Sequence, residues 1–261
     1  MYTKEELKNQ LKKMGISPTD TVMIHTSMKA IGQVEGGPDG VLDAFCEYLQ
    51  DGLFLVPTHT WLEVTPDHPV FDVRTAVPNI GVIPRTAAFR KDGIRSLHPT
   101  HSLWAKGARA EEYVQCEAMS DSPATPGGCW DKLADCHGKI LLIGVKNNKN
   151  TFIHSVDERA KLPDRISSDS FEVTVTDHVG NVQKKPMHYH KCSKTDDISI
   201  YYGNFEKPMV ELGVQTFGEF GDAEVCIVDA MACRNLIMKI YERATEDIFA
   251  QHIEIPTELY R

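Results

Sequence analysis

The sequence predicts an α/β protein, and two features carry that prediction. Short apolar runs rich in strand-forming residues recur along the chain, at Thr21-Val22-Met23-Ile24-His25, Leu53-Phe54-Leu55-Val56-Pro57 and Lys139-Ile140-Leu141-Leu142-Ile143-Gly144-Val145. Segments whose apolar residues follow helical spacing lie between them. Strand, helix, strand in succession is the local pattern of a sheet with helices laid on it. The third run is apolar on both faces, which places it at the centre of the sheet, where both faces are covered.

The elements follow in order. Thr3 with Glu6 three residues later forms a capping box, and Leu7, Leu11 and Met14 continue at helical spacing to Gly15, a first helix. Residues 41–49 are helical between the first two strands, and helical character returns over 81–90 and 108–116. Residues 171–177 alternate in polarity and Gly180-Asn181 leads into a second polar strand, an exposed β-hairpin at the periphery. A helix near 205–213, the apolar run Val225-Cys226-Ile227-Val228 and a last helix through Met231, Leu236, Ile240 and Tyr241 complete the chain. No internal repeat or linker interrupts it, so residues 1–261 are expected to form a single domain.

Composition narrows the function classes. With 261 residues, 41% hydrophobic and 25% charged, the chain is long enough to bury a substantial core and is not disordered. The N-terminus lacks the basic-then-apolar plan of a signal peptide and no apolar run reaches the length of a membrane span, so a cytoplasmic protein without membrane contact is expected. Seven scattered cysteines suit a reducing compartment, and the lack of any CxxC pair excludes a cysteine-rich zinc ribbon. A net charge of -9 argues against a nucleic-acid partner and mildly favours cationic substrates.

Chemically capable residues gather directly after apolar strands, where α/β folds place their sites. After the first strand come His25, Thr26 and Ser27, then Gly36-Gly37 before a helix near Pro38. That helix end can receive a phosphate, or the glycines are a plain turn. Residues 95–102 hold Arg95, Ser96, His98, His101 and Ser102, a density of donors suited to phosphate or amide groups, or a surface loop bonded to itself. After the central strand, Asn150-Thr151-Phe152-Ile153-His154 opens a helix in which His154 shares a face with Glu158 and lies near Asp157. A carboxylate beside an imidazole fixes its tautomer and raises its basicity, as a general base for an amine requires, although such pairs also occur as solvated ion pairs. His188 and His190 alternate on one side of an expected strand, but a zinc site would need a further ligand such as Cys192 or Asp196, and no metal is expected.

In order along residues 20–160, these stretches resemble the aminoglycoside 3-N-acetyltransferase family. The matching pieces are residues 22–32 with Gly36-Gly37, Val56-Pro57-Thr58-His59-Thr60-Trp61, Phe71-Asp72, Arg95-Ser96 with His98-Pro99-Thr100-His101-Ser102, residues 138–145, and Asn150-Thr151-Phe152-Ile153-His154. Residues 205–232 match more loosely. The resemblance implies a three-layer α/β/α fold with a mixed central sheet, and acetyl-coenzyme A as co-substrate of an acyltransferase linked to antibiotic resistance. It implies that His25, Thr26, Ser27, Gly36, Gly37, Arg95, Ser96, His98 and Ser102 lie on the cofactor side. His154 would be the base that activates the acceptor amine, the 3-amino group of an aminoglycoside or a related amine. Relatives carry a glutamate three residues after that histidine. Here the position is Asp157 with Glu158 next, and the longer Glu158 is ranked first as partner. The hairpin region, 165–204, is expected to overhang the acceptor. The rival classes are a metal-dependent hydrolase using His188, His190 and His98 or His101, and a non-catalytic module binding coenzyme A or an acyl carrier.

Overall fold

The computed structural model describes residues 1–244 and 249–261. Its strands are β1 (Thr21–Thr26), β2 (Leu53–Pro57), β3 (Val70–Asp72), β4 (Ile94–Arg95), β5 (Leu103–Gly107), β6 (Lys139–Ile143), β7 (Phe171–Thr176), β8 (Val182–Met187), β9 (Gln215–Phe220) and β10 (Ala223–Asp229). Its helices are α1 (Lys4–Lys13), α2 (Met28–Ile31), α3 (Gly37–Tyr48), α4 (Val82–Ala88), α5 (Ala110–Val114), α6 (Cys129–Asp135), α7 (Phe152–Arg159), α8 (Glu206–Glu211), α9 (Ala230–Arg243) and α10 (Thr257–Tyr260). Among the described residues no helix is long and apolar enough to cross a membrane.

Seven strands form one mixed sheet in the order β4-β5-β2-β1-β6-β10-β9. β2, β1 and β6 run parallel at its centre, and antiparallel strands extend it on both sides. The central strands are apolar at almost every position because successive side chains enter opposite layers. Met23, Leu55, Ile140 and Leu142 pack with residues of α6, α7 and α9. Val22, Ile24, Phe54, Val56, Leu141 and Ile143 pack with residues of α1, α3 and α4. Two hydrophobic cores separated by one sheet are the three layers expected from the sequence, and the Thr3–Glu6 capping box at the head of α1 is present.

The hairpin differs in one respect from the expected exposed ribbon. β7 and β8 pair antiparallel, but β3 joins β7 in parallel to make a three-stranded sheet, β3-β7-β8. Its inner face is a small core of its own, with Phe71, Val73, Val173, Val175 and Met187 buried together. Three residues of β3 are too few to show a strand pattern, and their partner lies a hundred positions downstream. The alternation along β7 therefore reflects one buried face and one solvated face.

Leu141 is fully buried on β6. Leu141→Ala is expected to cost about 2–5 kcal/mol of unfolding free energy, the range for truncating a leucine in a packed core. Urea titration checks this, and a loss below about 1 kcal/mol would show that the layer is not closely packed.

Candidate active site

The parallel strands β1, β2 and β6 end on the same edge of the sheet, and a cavity of about 600 Å³ opens there. This is the edge at which open α/β sheets expose polar residues, because the strands stop and their loops diverge. His25 and Thr26 close β1, Pro57 closes β2 with His59 just beyond it, and Val145 follows β6. At Gly144 the chain turns with φ 65°. A Cβ there would stand 2.3 Å from the Ala30 methyl, so glycine alone lets the chain pass α2 on its way to α7. α7 then delivers His154 to the cavity, and the segment after β8 supplies the facing wall through His190, Asp196 and Asp197.

His154 sits in a relay that the sequence reading missed. The Tyr202 hydroxyl lies 2.7 Å from His154 Nδ1 and donates its proton to Asp157 Oδ2 at 2.6 Å. A tyrosine has one hydroxyl proton, so with that proton on Asp157 the oxygen accepts from His154 Nδ1–H. The tautomer is thereby set, and Nε2 is left as the basic atom of a side chain that lines the cavity. Tyr241 donates to Asp157 Oδ1 at 2.6 Å, and Arg165 Nε lies 3.8 Å from Asp157 Oδ2. Nothing local in the sequence points to Tyr202, 48 positions downstream of His154.

Glu158, ranked first as partner for its longer side chain, faces elsewhere. Its carboxylate accepts from the Ser122 hydroxyl and from the Ala124 N–H at 2.8 Å, and burial raises its pKa to about 7. The four-residue spacing put it on the right helix face, but the loop around Ser122 took up the carboxylate. Asp157 is the residue the structure joins to His154, through an intervening phenol.

Imidazoles dominate the cavity. His190 stacks on His154 with ring centroids 3.8 Å apart, His101 lies 5.1 Å from His190, and His59 lies 4.6 Å from His101. Burial first, and neighbouring imidazoles second, hold His59, His101 and His154 well below their usual pKa. Burial takes His190 to about 4 and His25 to about 3. The cluster is therefore neutral near pH 7. The Nε2 atoms of His25, His59 and His190 make no hydrogen bond to described residues, so they remain available to a ligand.

Of the residues expected on the cofactor side, His25 and Thr26 line the cavity and the others stand behind it or away from it. Ser27 caps α2 by accepting from the Ala30 N–H, and its own N–H is committed to the Ile143 carbonyl. Gly36 and Gly37, both at positive φ, form the turn that opens α3 and are absent from the cavity wall. Arg95 is 2% exposed. It donates to the Ala76 and Thr58 carbonyls at 2.6 and 2.9 Å and to the Thr58 and Ser102 hydroxyls, while its guanidinium lies over the Phe71 ring. Ser96 accepts from the Leu103 N–H. His98 uses both ring nitrogens, Nε2 at the Ser122 carbonyl and Nδ1 as acceptor from the N–H groups of Thr100 and His101. The donors of Arg95, Ser96, His98 and Ser102 thus bond within the protein and hold the loop that carries Thr100 and His101 to the cavity. His188 Nδ1 is engaged by the Ser167 carbonyl while His190 enters the cavity, because β8 ends at Met187 and strand alternation no longer applies.

An α/β/α scaffold whose strand ends enclose a cavity around a neutral, relayed histidine defines the class. Within it, the chain belongs to the aminoglycoside 3-N-acetyltransferase family, whose model matches residues 23–242. Aminoglycoside N(3)-acetyltransferase VII of Streptomyces paromomycinus is 29% identical over 179 residues, 62% of this chain and 62% of the relative. The match thus spans about three fifths of the length of that curated relative. Among solved structures, AAC-VIa bound to sisomicin shares the fold at a TM-score of 0.78 and 21% identity, over 94% of this chain and 99% of that one. The binary complex of AAC-IIIb with CoASH does so at 0.77 and 22%, over 90% of this chain and 94% of that one.

The depressed histidines make stability depend on pH with a definite sign. Below about 6.5 the unfolded chain binds protons that the buried imidazoles refuse, so their contribution is complete above that pH and is lost as pH falls toward the folded values near 4 and 3. Glu158, raised to about 7, acts in the opposite sense between its ordinary value and pH 7, but it is one group against several. Thermal unfolding midpoints are expected to drop steadily from pH 7 to pH 4, with a shallower drop in His25→Asn. A flat profile would show the cluster to be solvated.

Proposed function

We propose that the chain transfers an acetyl group from acetyl-coenzyme A to an amine, the 3-amino group of an aminoglycoside or a related amine, with residues 1–261 acting as one domain. The observation that carries this reading is the Asp157–Tyr202–His154 relay, which presents a neutral imidazole to a cavity at the strand ends. Family membership, the acetyltransferase name of the curated relative and the coenzyme A and sisomicin ligands of the two neighbouring structures support it.

The residues present suit such a co-substrate. Lys149 and Lys191 line the cavity and supply cations for phosphates, and the unengaged Nε2 atoms of His25 and His59 offer partners to amides. When bound, acetyl-coenzyme A supplies a thioester carbonyl to be attacked. His154 Nε2 would take the proton of the attacking amine as the N–C bond forms, and would return it to the coenzyme A sulfur as the C–S bond breaks, so that the products are the amide and the free thiol. The positive charge that develops on the ring is stabilised at Nδ1 through Tyr202 by the Asp157 carboxylate, so Asp157 acts electrostatically and need not accept a proton. Asp196 and Asp197, on the wall beside His190, are placed to receive an acceptor ammonium. Arg95, Ser96, His98 and Ser102 hold the cavity wall from behind, and Gly36 and Gly37 serve as a turn. Ser27 has spent its N–H, so the donors for the thioester oxygen are sought among the cavity's imidazoles.

A thiol-release assay with acetyl-coenzyme A against 2-deoxystreptamine aminoglycosides and simple amines tests the reading. Intact coenzyme A binding with no release on any acceptor would instead make the chain a binding module. His154→Ala is expected to lower kcat roughly a hundredfold or more, the scale for losing a general base, with coenzyme A affinity unchanged. Tyr202→Phe keeps the ring but removes the hydroxyl, and is expected to lower kcat about tenfold, equivalent to one hydrogen bond. Near wild-type turnover by His154→Ala at saturating co-substrate would falsify the assignment of the base.

A further inference from the structure

A second cluster of chemically capable side chains lies outside the cavity. Cys116 and Glu117 stand in the short 3₁₀ turn Gln115–Met119 that follows α5, and Cys129 is the first residue of α6. The two Sγ atoms are 3.4 Å apart and both turn toward one acceptor, the Tyr113 carbonyl oxygen, at 2.8 and 3.4 Å. Glu117 is 2% exposed. Its Oε1 accepts the Cys129 N–H at 2.7 Å, while its Oε2 has no hydrogen-bond partner among the described residues. Both sulfurs and a carboxylate oxygen lie within 4.8 Å of one another.

We propose that Cys116 Sγ, Cys129 Sγ and Glu117 Oε2 bind a structural zinc ion, with the Tyr113 carbonyl oxygen or a water as fourth ligand. A buried carboxylate oxygen without a donor is costly, and a cation beside it removes that cost. Zinc bonds of about 2.3 Å to sulfur place two tetrahedral thiolates roughly 3.8 Å apart, so the sulfurs need to move apart by only a few tenths of an ångström. Thiolate sulfur with carboxylate oxygen is a donor set that zinc accepts and that calcium and magnesium do not favour.

Binding balances as two thiols and one carboxylate taking up Zn²⁺ and releasing two protons. The ligand set then carries one net negative charge. Lys185, whose Nζ donates to the Glu117 carbonyl oxygen at 3.3 Å, faces it, and His98 Nε2 lies 4.0 Å from Glu117 Oε2. A disulfide between the same cysteines would instead require the sulfurs to close to about 2.05 Å, consume an oxidant, and leave Glu117 Oε2 unanswered. The site ties the turn after α5 to the head of α6. Through His98, which accepts from the His101 N–H, it braces the loop carrying His101 to the cavity.

The test uses the full chain, purified without chelator and desalted. Elemental analysis is expected to find about one zinc per chain. After chelation, titration with Co²⁺ should give a one-equivalent endpoint with tetrahedral absorption and a thiolate-to-cobalt charge-transfer band, which histidines of the cavity cannot produce. Cys116→Ser with Cys129→Ser should abolish the band, and Cys46→Ser, on α3 across the sheet, should leave it intact. Glu117→Gln, which still accepts the Cys129 N–H, should weaken Co²⁺ binding at least about tenfold. Wild-type protein that takes up cobalt with no thiolate band overturns the proposal, independently of whether any variant folds. So does an intact Cys116–Cys129 disulfide in protein isolated under reducing-compartment conditions.

Discussion

Three parallel strands, β2, β1 and β6, constrain everything else in this molecule. A parallel strand cannot return by a tight turn, so the chain between these strands runs through long connections that carry helices, and both faces become buried. Met23 and Leu142 therefore look into one layer and Ile24 and Leu141 into the other. Polar side chains have no place within these strands and collect where the strands stop. His25, Thr26 and His59 occupy that edge, and the turn at Gly144 steers α7 so that His154 joins them.

The chemistry of the edge follows from its burial. Imidazoles packed against one another lose their protons, because burial strips a charged ring of water and a charge on one ring opposes a charge on the next. Neutrality suits a base, yet a neutral imidazole can rotate and exchange tautomers unless something holds Nδ1. Tyr202 does so, and the Asp157 carboxylate behind it keeps a negative charge near the ring without direct contact between the two. Arg165 and Tyr241 offset the burial of that carboxylate. A direct ion pair in its place would draw a proton onto His154 at neutral pH.

The loop of residues 95–102 shows how rich donor density reports either a ligand or a fold. Arg95 threads under the loop to bind carbonyls that no strand satisfies, and His98 accepts two N–H groups where the chain bends. Buried backbone groups must be paired, and a loop leaving a sheet edge has many of them. The same reasoning separates Glu158, drawn to Ser122 and Ala124, from the residue that reaches His154.

Short-range periodicity is the part of this fold that can be read from the residues in order. The two-faced apolar runs specified the central strands, the helical spacing specified the covering helices, and residues quoted in order along 20–160 marked the family and the histidine on α7. Strand ends are legible because apolar runs stop there, so His25 and His154 were in view from the start. Which groups meet depends instead on contacts between distant segments. β3 and β7 pair across a hundred residues, Tyr202 and Asp157 across 45, and His190 reaches His154 only after the chain leaves β8. Such contacts form when packing closes long loops, and no periodic signal records them. For that reason His154 was legible, while its tyrosine partner and its imidazole neighbours were not.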